Sequence, residues 1–164
     1  MPGSQRRFAV DFDADGRVDL MNSPQDAIGS VARFLKLHGW TKGQPIAERT
    51  KGKIANDQML INAGIKPSLE YAMLTANGLA NSQLPSLAPA ALVDLVTPEA
   101  DTEYWWGLGN FYAITRYNRS SFYAMSVVQL AEAIKIRRAD LRPLKPLKTK
   151  NIKTNYRAKP RHVG

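Results

Sequence analysis

The sequence predicts an α+β fold that is mainly helical, and three observations carry that prediction. Segments 23–39 and 121–138 place apolar residues at helical spacing behind capping residues, while the short runs 90–96 and 103–108 have the composition of strands. The 164 residues, 44% of them hydrophobic and none of them cysteine, suffice for one core without disulfides. A disulfide scaffold, thiolate zinc sites and thiol catalysis are excluded. His38 and His162 lie too far apart in the chain to suggest a multi-histidine metal centre or a Ser/His/Asp hydrolase.

The first local signal is Asp11-Phe12-Asp13-Ala14-Asp15-Gly16-Arg17-Val18-Asp19, with carboxylates at alternate positions followed by a glycine. A hard cation such as calcium takes about six to eight oxygens, and an EF-hand-like loop supplies them from alternate carboxylates, with a glycine for the sharp turn and then a backbone carbonyl. Asp11, Asp13, Asp15, Gly16 and the Arg17 carbonyl occupy those places, and Val18 anchors the loop in the core. Asn22 stands where the standard loop has a bidentate glutamate, so Asp26 is the nearest carboxylate able to close a longer site. The alternative is a solvated acidic turn in which Asp26 only caps a helix, and sodium is an alternative occupant to calcium.

Residues 23–39 read as a helix. Ser23 is the N-cap, Pro24 suits the first turn, and Asp26 completes a capping-box-like start. Ile28, Val31, Ala32 and Leu35 form one apolar stripe, and Gly39 supplies the stop. Segment 40–67 gives weaker signals, with a helical or extended piece near Gln58 to Ile61. Pro67 and Ser68 open a short helix to Asn77, closed by Gly78, and Pro85 and Pro89 mark a linker. Ala90 to Val96 and Glu103 to Leu108 form a strand pair around the loop 97–102. Asn110 to Tyr117 and Ser121 to about Arg138 are helices, and in the second one Tyr123, Val127, Leu130, Ala131 and Ile134 make a core-facing stripe.

The net charge of +9 suggests nucleic acid until it is divided along the chain. Residues 1–134 hold 12 basic and 13 acidic side chains, whereas 135–164 hold 11 basic ones against Asp140 alone. The excess therefore belongs to a C-terminal arm with prolines and few large apolar residues, read as flexible. Nucleic-acid binding would rest on that arm alone, where Tyr156 is the single aromatic.

Aromatic residues cluster at Tyr104-Trp105-Trp106, Phe111-Tyr112, Tyr117-Asn118-Arg119 and Phe122-Tyr123. Aromatic faces beside amide and guanidinium groups suit sugar rings, which present apolar C–H faces and a rim of hydroxyls. Most of these rings belong to a core. Tyr117, Asn118 and Tyr123, at the turn between two helices, are the better glycan candidates.

Phe8 to Leu20, Asn22 to Ala32, His38-Gly39-Trp40, and above all Gly109-Asn-Phe-Tyr-Ala-Ile-Thr-Arg-Tyr-Asn-Arg-Ser120 with Tyr123-Ala-Met125, resemble the C-terminal half of the lytic murein transglycosylase B family. The resemblance implies a partial lysozyme-like domain over 1–138, with the calcium loop at 11–26 and a small inserted α/β region at about 41–108; the flexible basic tail 139–164 lies beyond the match. It further implies cleavage of the β-1,4 bond between N-acetylmuramic acid and N-acetylglucosamine, leaving a 1,6-anhydro product. Carried over by position, the structural calcium would be held by Asp11, Asp13, Asp15, Arg17 and Asp26, and glycan by Tyr117, Asn118 and Tyr123. Ser4 joins them because Met1-Pro2-Gly3-Ser4 resembles the end of a cleft-lining segment, with Gly3 in place of a serine.

In that family one glutamate acts as general acid and then as base, within a segment expected upstream of Met1. None of Glu48, Glu70, Glu99, Glu103 and Glu132 has that context, and Glu103 beside Tyr104 and Trp105 is the one in an apolar setting. The expectation is a monomeric fragment, inactive alone, that binds peptidoglycan strands. The alternative is a noncatalytic, calcium-dependent peptidoglycan-binding module. The family implies the periplasm or cell envelope; without an export signal, the chain as written would remain cytoplasmic.

Overall fold

The computed structural model describes residues 2–50, 54, 56–77 and 89–141. Two helices come first, α1 (Pro2–Phe8) and α2 (Pro24–Leu37), with the acidic loop between them. A mixed region follows: β1 (Ala47–Arg49), α3 (Asp57–Asn62), α4 (Tyr71–Ala76), β2 (Ala91–Leu95) and β3 (Glu103–Gly107). The described chain closes with α5 (Gly109–Thr115) and α6 (Ser121–Asp140). The expected stop at Gly78, the linker of the 80s and most of the basic tail lie outside the described residues.

The expected strand pair is a three-stranded antiparallel sheet in the order β1-β3-β2. Its added edge strand sets Ala47 opposite Gly107 and Arg49 opposite Trp105. Side-chain alternation divides the sheet between two cores. On one face Leu92 and Trp106 meet Leu60, Leu69 and Leu74 from the α3–α4 side. On the other, Val93 and Leu95 meet Phe111, Ile114, Met125 and Val128 from α5 and α6. Burying each such leucine contributes about 1.5–3 kcal/mol, and both faces of the sheet gain in this way. Gly107 permits this closeness, since a methyl group there would lie 2.9 Å from Phe111 Cδ1 and 3.1 Å from Val93 Cγ2.

Capping explains the helix starts. Ser23 Oγ accepts the Asp26 N–H at 3.2 Å, and Ser120 Oγ accepts that of Tyr123 at 3.2 Å. Ser68 does not cap the fourth helix. Its N–H and that of Leu69 bond to the Ala90 carbonyl, and Leu69 bridges to Ala90, which delays the helix to Tyr71 behind Glu70.

Both predicted apolar stripes are corrected in part: Leu35 and Tyr123 do pack against the core of β2, α5 and α6, but most of their companions do not. Ile28 is 69% exposed and Val31 60%, while Asp26, Gly29 and Ser30 are the buried residues of α2. The helix turns this small, polar side toward the acidic loop, whose backbone its side chains satisfy. In α6, Val127, Leu130 and Ile134 are exposed; Ala124, Met125 and Val128 enter the core instead.

The sheet region is joined to the helices through a polar clamp. Asn110 Oδ1 accepts the Thr41 N–H at 2.8 Å, and its amide nitrogen donates to the Thr41 and Gln44 carbonyls, each at 2.9 Å. The Leu108 N–H donates to Ile46 O beside it.

Candidate functional site

The acidic loop is organised by its own carboxylates. Asp11 Oδ1 accepts the Asp15 N–H at 3.2 Å and Oδ2 that of Gly16 at 2.9 Å, which folds the chain back at Gly16, where φ is +87°. Asp26 reaches across from α2. One of its oxygens accepts the Phe12 N–H at 2.7 Å and the other the Asp19 N–H at 2.8 Å, so a single buried carboxylate grips both sides of the loop. These backbone bonds, led by the one from Asp19, hold the Asp26 carboxyl below the usual carboxylate range. Asp19 is also lowered, chiefly by the Asn22 side chain.

One oxygen from each of Asp11, Asp13 and Asp26 falls within 4.8 Å of the others. This convergence of hard oxygen donors fits a cation such as calcium better than a softer metal. Asp15 is not in that trio; its Oδ1 accepts the Arg17 N–H at 2.8 Å. Arg17 itself is exposed, and so is Val18, which does not anchor the loop in the core as expected. Ser23, considered from sequence only as a cap, has a second role: its hydroxyl donates to Asp13 Oδ2 at 2.7 Å while accepting from Asp26 N–H. A DxDxDG pattern followed by a serine cap contained that link, but spacing alone does not show which acid the hydroxyl reaches.

A second feature lies between the helices. An apolar groove of about 580 Å³ is lined by Phe8, Val31, Phe34, Trp40, Tyr117 and Tyr123, among others. Its aromatic wall is continuous. Phe8 meets Phe34 edge-on at 4.9 Å, Phe34 meets Tyr117 at 5.8 Å, and Tyr117 stacks on Tyr123 at 5.9 Å with 27° between the rings. Such offset geometry is favourable for aromatic pairs and leaves ring faces available. Asn118 is exposed beside Tyr117, with its side-chain oxygen held by the Ser120 N–H at 3.0 Å, so the amide nitrogen retains its donors. Ser4 falls within α1, but its side chain is outside the described residues.

Tyr104, Trp105 and Trp106 have structural places. Trp106 is fully buried, and Tyr104 donates its hydroxyl to Asp57 Oδ2 at 2.7 Å, tying β3 to α3. That bond lowers the Asp57 carboxyl and raises the Tyr104 phenol. Glu103 accepts from Trp105 Nε1 at 3.2 Å and pairs with Arg49 at 3.3 Å. No described helix is long and apolar enough to cross a membrane.

The chain is similar to known proteins over most of its length. Residues 1–132 match the family described as the transglycosylase SLT domain. Membrane-bound lytic murein transglycosylase B of Escherichia coli strain K12 is 42% identical over 139 residues, which are 84% of this chain and 37% of that protein. Among solved structures, catenated lytic transglycosylase SltB1 from Pseudomonas aeruginosa aligns with a TM-score of 0.73 and 40% identity, over 84% of this chain and 45% of that one. Escherichia coli Slt35, determined in complex with calcium, aligns at 0.69 and 39% over 85% and 43%. Pseudomonas aeruginosa SltB3, in complex with NAG-anhNAM-pentapeptide, aligns at 0.67 and 34% over 82% and 36%. The chain thus spans less than half the length of each of these proteins, and the fold it shares with them is the lysozyme-like one of lytic transglycosylases. On the domain match along most of its length, and on that shared fold, the chain belongs to the transglycosylase SLT domain family.

Proposed function

We propose that this chain supplies the cation loop and one wall of the glycan groove to a peptidoglycan lytic transglycosylase. That enzyme cleaves the β-1,4 bond between N-acetylmuramic acid and N-acetylglucosamine and leaves a 1,6-anhydro end. The observation that carries the proposal is the aromatic wall of Tyr117 and Tyr123, with Asn118 beside it, in a chain whose relatives act on murein by name and include one solved with a muropeptide. In this reading the two tyrosines receive apolar sugar faces, and Asn118 donates to a hydroxyl or acetamido oxygen.

Calcium is the proposed occupant of the loop. Asp11, Asp13 and Asp26 would hold it, with Asp15 and the Arg17 carbonyl completing the shell, as suits a ligand set made of oxygens. Its contribution is structural: it offsets the repulsion of crowded carboxylates and fixes the entry to α2. The region 1–138 is the proposed extent of the catalytic-domain half, with about 41–108 inserted in it and the basic tail after it.

Glycosidic cleavage needs a proton donor at the leaving oxygen. Among the described residues, no carboxylate lines the groove. The 164 residues are proposed to bind glycan without cleaving it, with the noncatalytic, calcium-dependent peptidoglycan-binding module as the second reading. One experiment addresses both. Purified chain is incubated with insoluble peptidoglycan, with calcium or with chelator, and the supernatant is analysed for anhydro-muropeptides. The expected result is retention that is lost on Tyr117→Ala and reduced by chelator, with no anhydro product. Release of product would overturn the noncatalytic assignment and direct attention to Glu103; failure to be retained at low salt would remove glycan binding.

A further inference from the structure

A tight contact joins the acidic loop to the second turn of α2. Phe12 stands between two of the proposed metal ligands, Asp11 and Asp13, and although 65% exposed it is not free. Its ring lies against the backbone of Gly29, so closely that a methyl group there would sit 2.6 Å from both Cγ and Cδ2 and 2.7 Å from Cβ. Cβ has little freedom to retreat, because the Phe12 N–H is bonded to Asp26 Oδ1 at 2.7 Å. The next residue of the helix holds the chain just before the loop, with Ser30 Oγ accepting the Val10 N–H at 3.0 Å.

Gly29 lies in the interior of a helix, where alanine is the better helix former because glycine loses more backbone freedom on folding. Helix stability therefore does not explain a glycine at this position, whereas the contact with Phe12 does. We propose that Gly29 is a positioning residue for the cation site. Its bare Cα forms the seat on which Phe12 latches, and the latch sets Asp11 and Asp13 at the distance from Asp26 that a shared cation requires. This inference rests on the cation reading above, but the latch itself is a contact of the Phe12 side chain with the Gly29 backbone.

The test uses Gly29→Ala in the full chain, with Phe12→Ala and the double variant as controls. Calcium affinity is measured by calorimetry, and exchange of the Phe12 and Asp19 amides by hydrogen-exchange NMR without metal. Gly29→Ala should weaken calcium binding by at least about tenfold, the range seen when groups supporting metal ligands are lost. It should speed exchange of both amides by a similar factor while leaving the thermal midpoint of the metal-free chain unchanged or raised. A merely structural glycine would not give these opposite signs. Phe12→Ala removes the obstructing ring, so the double variant should bind as Phe12→Ala does and better than Gly29→Ala. Wild-type affinity in Gly29→Ala, or losses that simply add in the double variant, would overturn the proposal. If wild type binds no calcium, the cation reading fails on its own, and the latch is then decided by exchange: unchanged protection in Gly29→Ala rejects it.

Discussion

The sheet region and the helical groove have similar apolar sequences and opposite fates. In the sheet, Leu92, Val93, Leu95 and Trp106 alternate between two faces, and both faces are covered. In the helices, Ile28, Val31, Leu130 and Ile134 recur at helical spacing and remain exposed. The contrast shows that periodicity identifies which side of an element is apolar, while burial depends on which neighbours the chain brings to that side.

The comparison can be broken most forcefully at Trp106. Replacing this fully buried residue by alanine leaves a large cavity between β3 and the α3–α4 side, with an expected loss of about 3–5 kcal/mol in denaturant unfolding. Asn110→Ala comes next. It removes three hydrogen bonds at the junction of the two regions and leaves the Thr41 N–H and two carbonyls without that partner, an expected cost of about 1–3 kcal/mol by the same measurement.

A smaller, conditional effect concerns acid. Asp26 has a folded-state pKa below its unfolded value, so its contribution to stability is present above the unfolded value near ~3.9 and is lost as pH falls through the folded one. The metal-free wild type should therefore lose thermal midpoint from about pH 4 downward, and Asp26→Asn should flatten part of that slope. Identical slopes in the two proteins would show that the carboxylate does not hold the loop in solution. Least of all should Val31→Gln matter for folding. At this exposed position the change should stay within about 0.5 kcal/mol while lowering the emission of an apolar dye bound in the groove.

Some of this was legible in the residues alone. Ser23 and Pro24 marked the start of α2 because capping is local chemistry, and the alternation in 91–95 marked β2 for the same reason. The acidic loop was legible from DxDxDG, and Asp11, Asp13 and Asp26 do come together. What was not legible was non-local. The three residues of β1 include Glu48 and Arg49 and become a strand only through pairing with β3. The seven residues of α1, containing Gly3, give little helical signal of their own. Asp15 fits the spacing of the loop, and its Oδ1 accepts the Arg17 N–H, a partner that spacing does not reveal.

The Asn110 clamp also bears on how much of the chain between its partners is free to vary. Thr41 and Gln44 on one side and Leu108 and Asn110 on the other form a closed neck, through which the chain leaves the helical body and returns after more than sixty residues. Once such a neck is fastened, lengthening the path between its ends costs only a logarithmic increment of loop entropy, about 0.6 kcal/mol per doubling. Residues added or removed in the connections beyond the sheet would thus change little at the neck. Evolution and the protein engineer alike have a place here to alter what the chain carries without reopening the body that holds it.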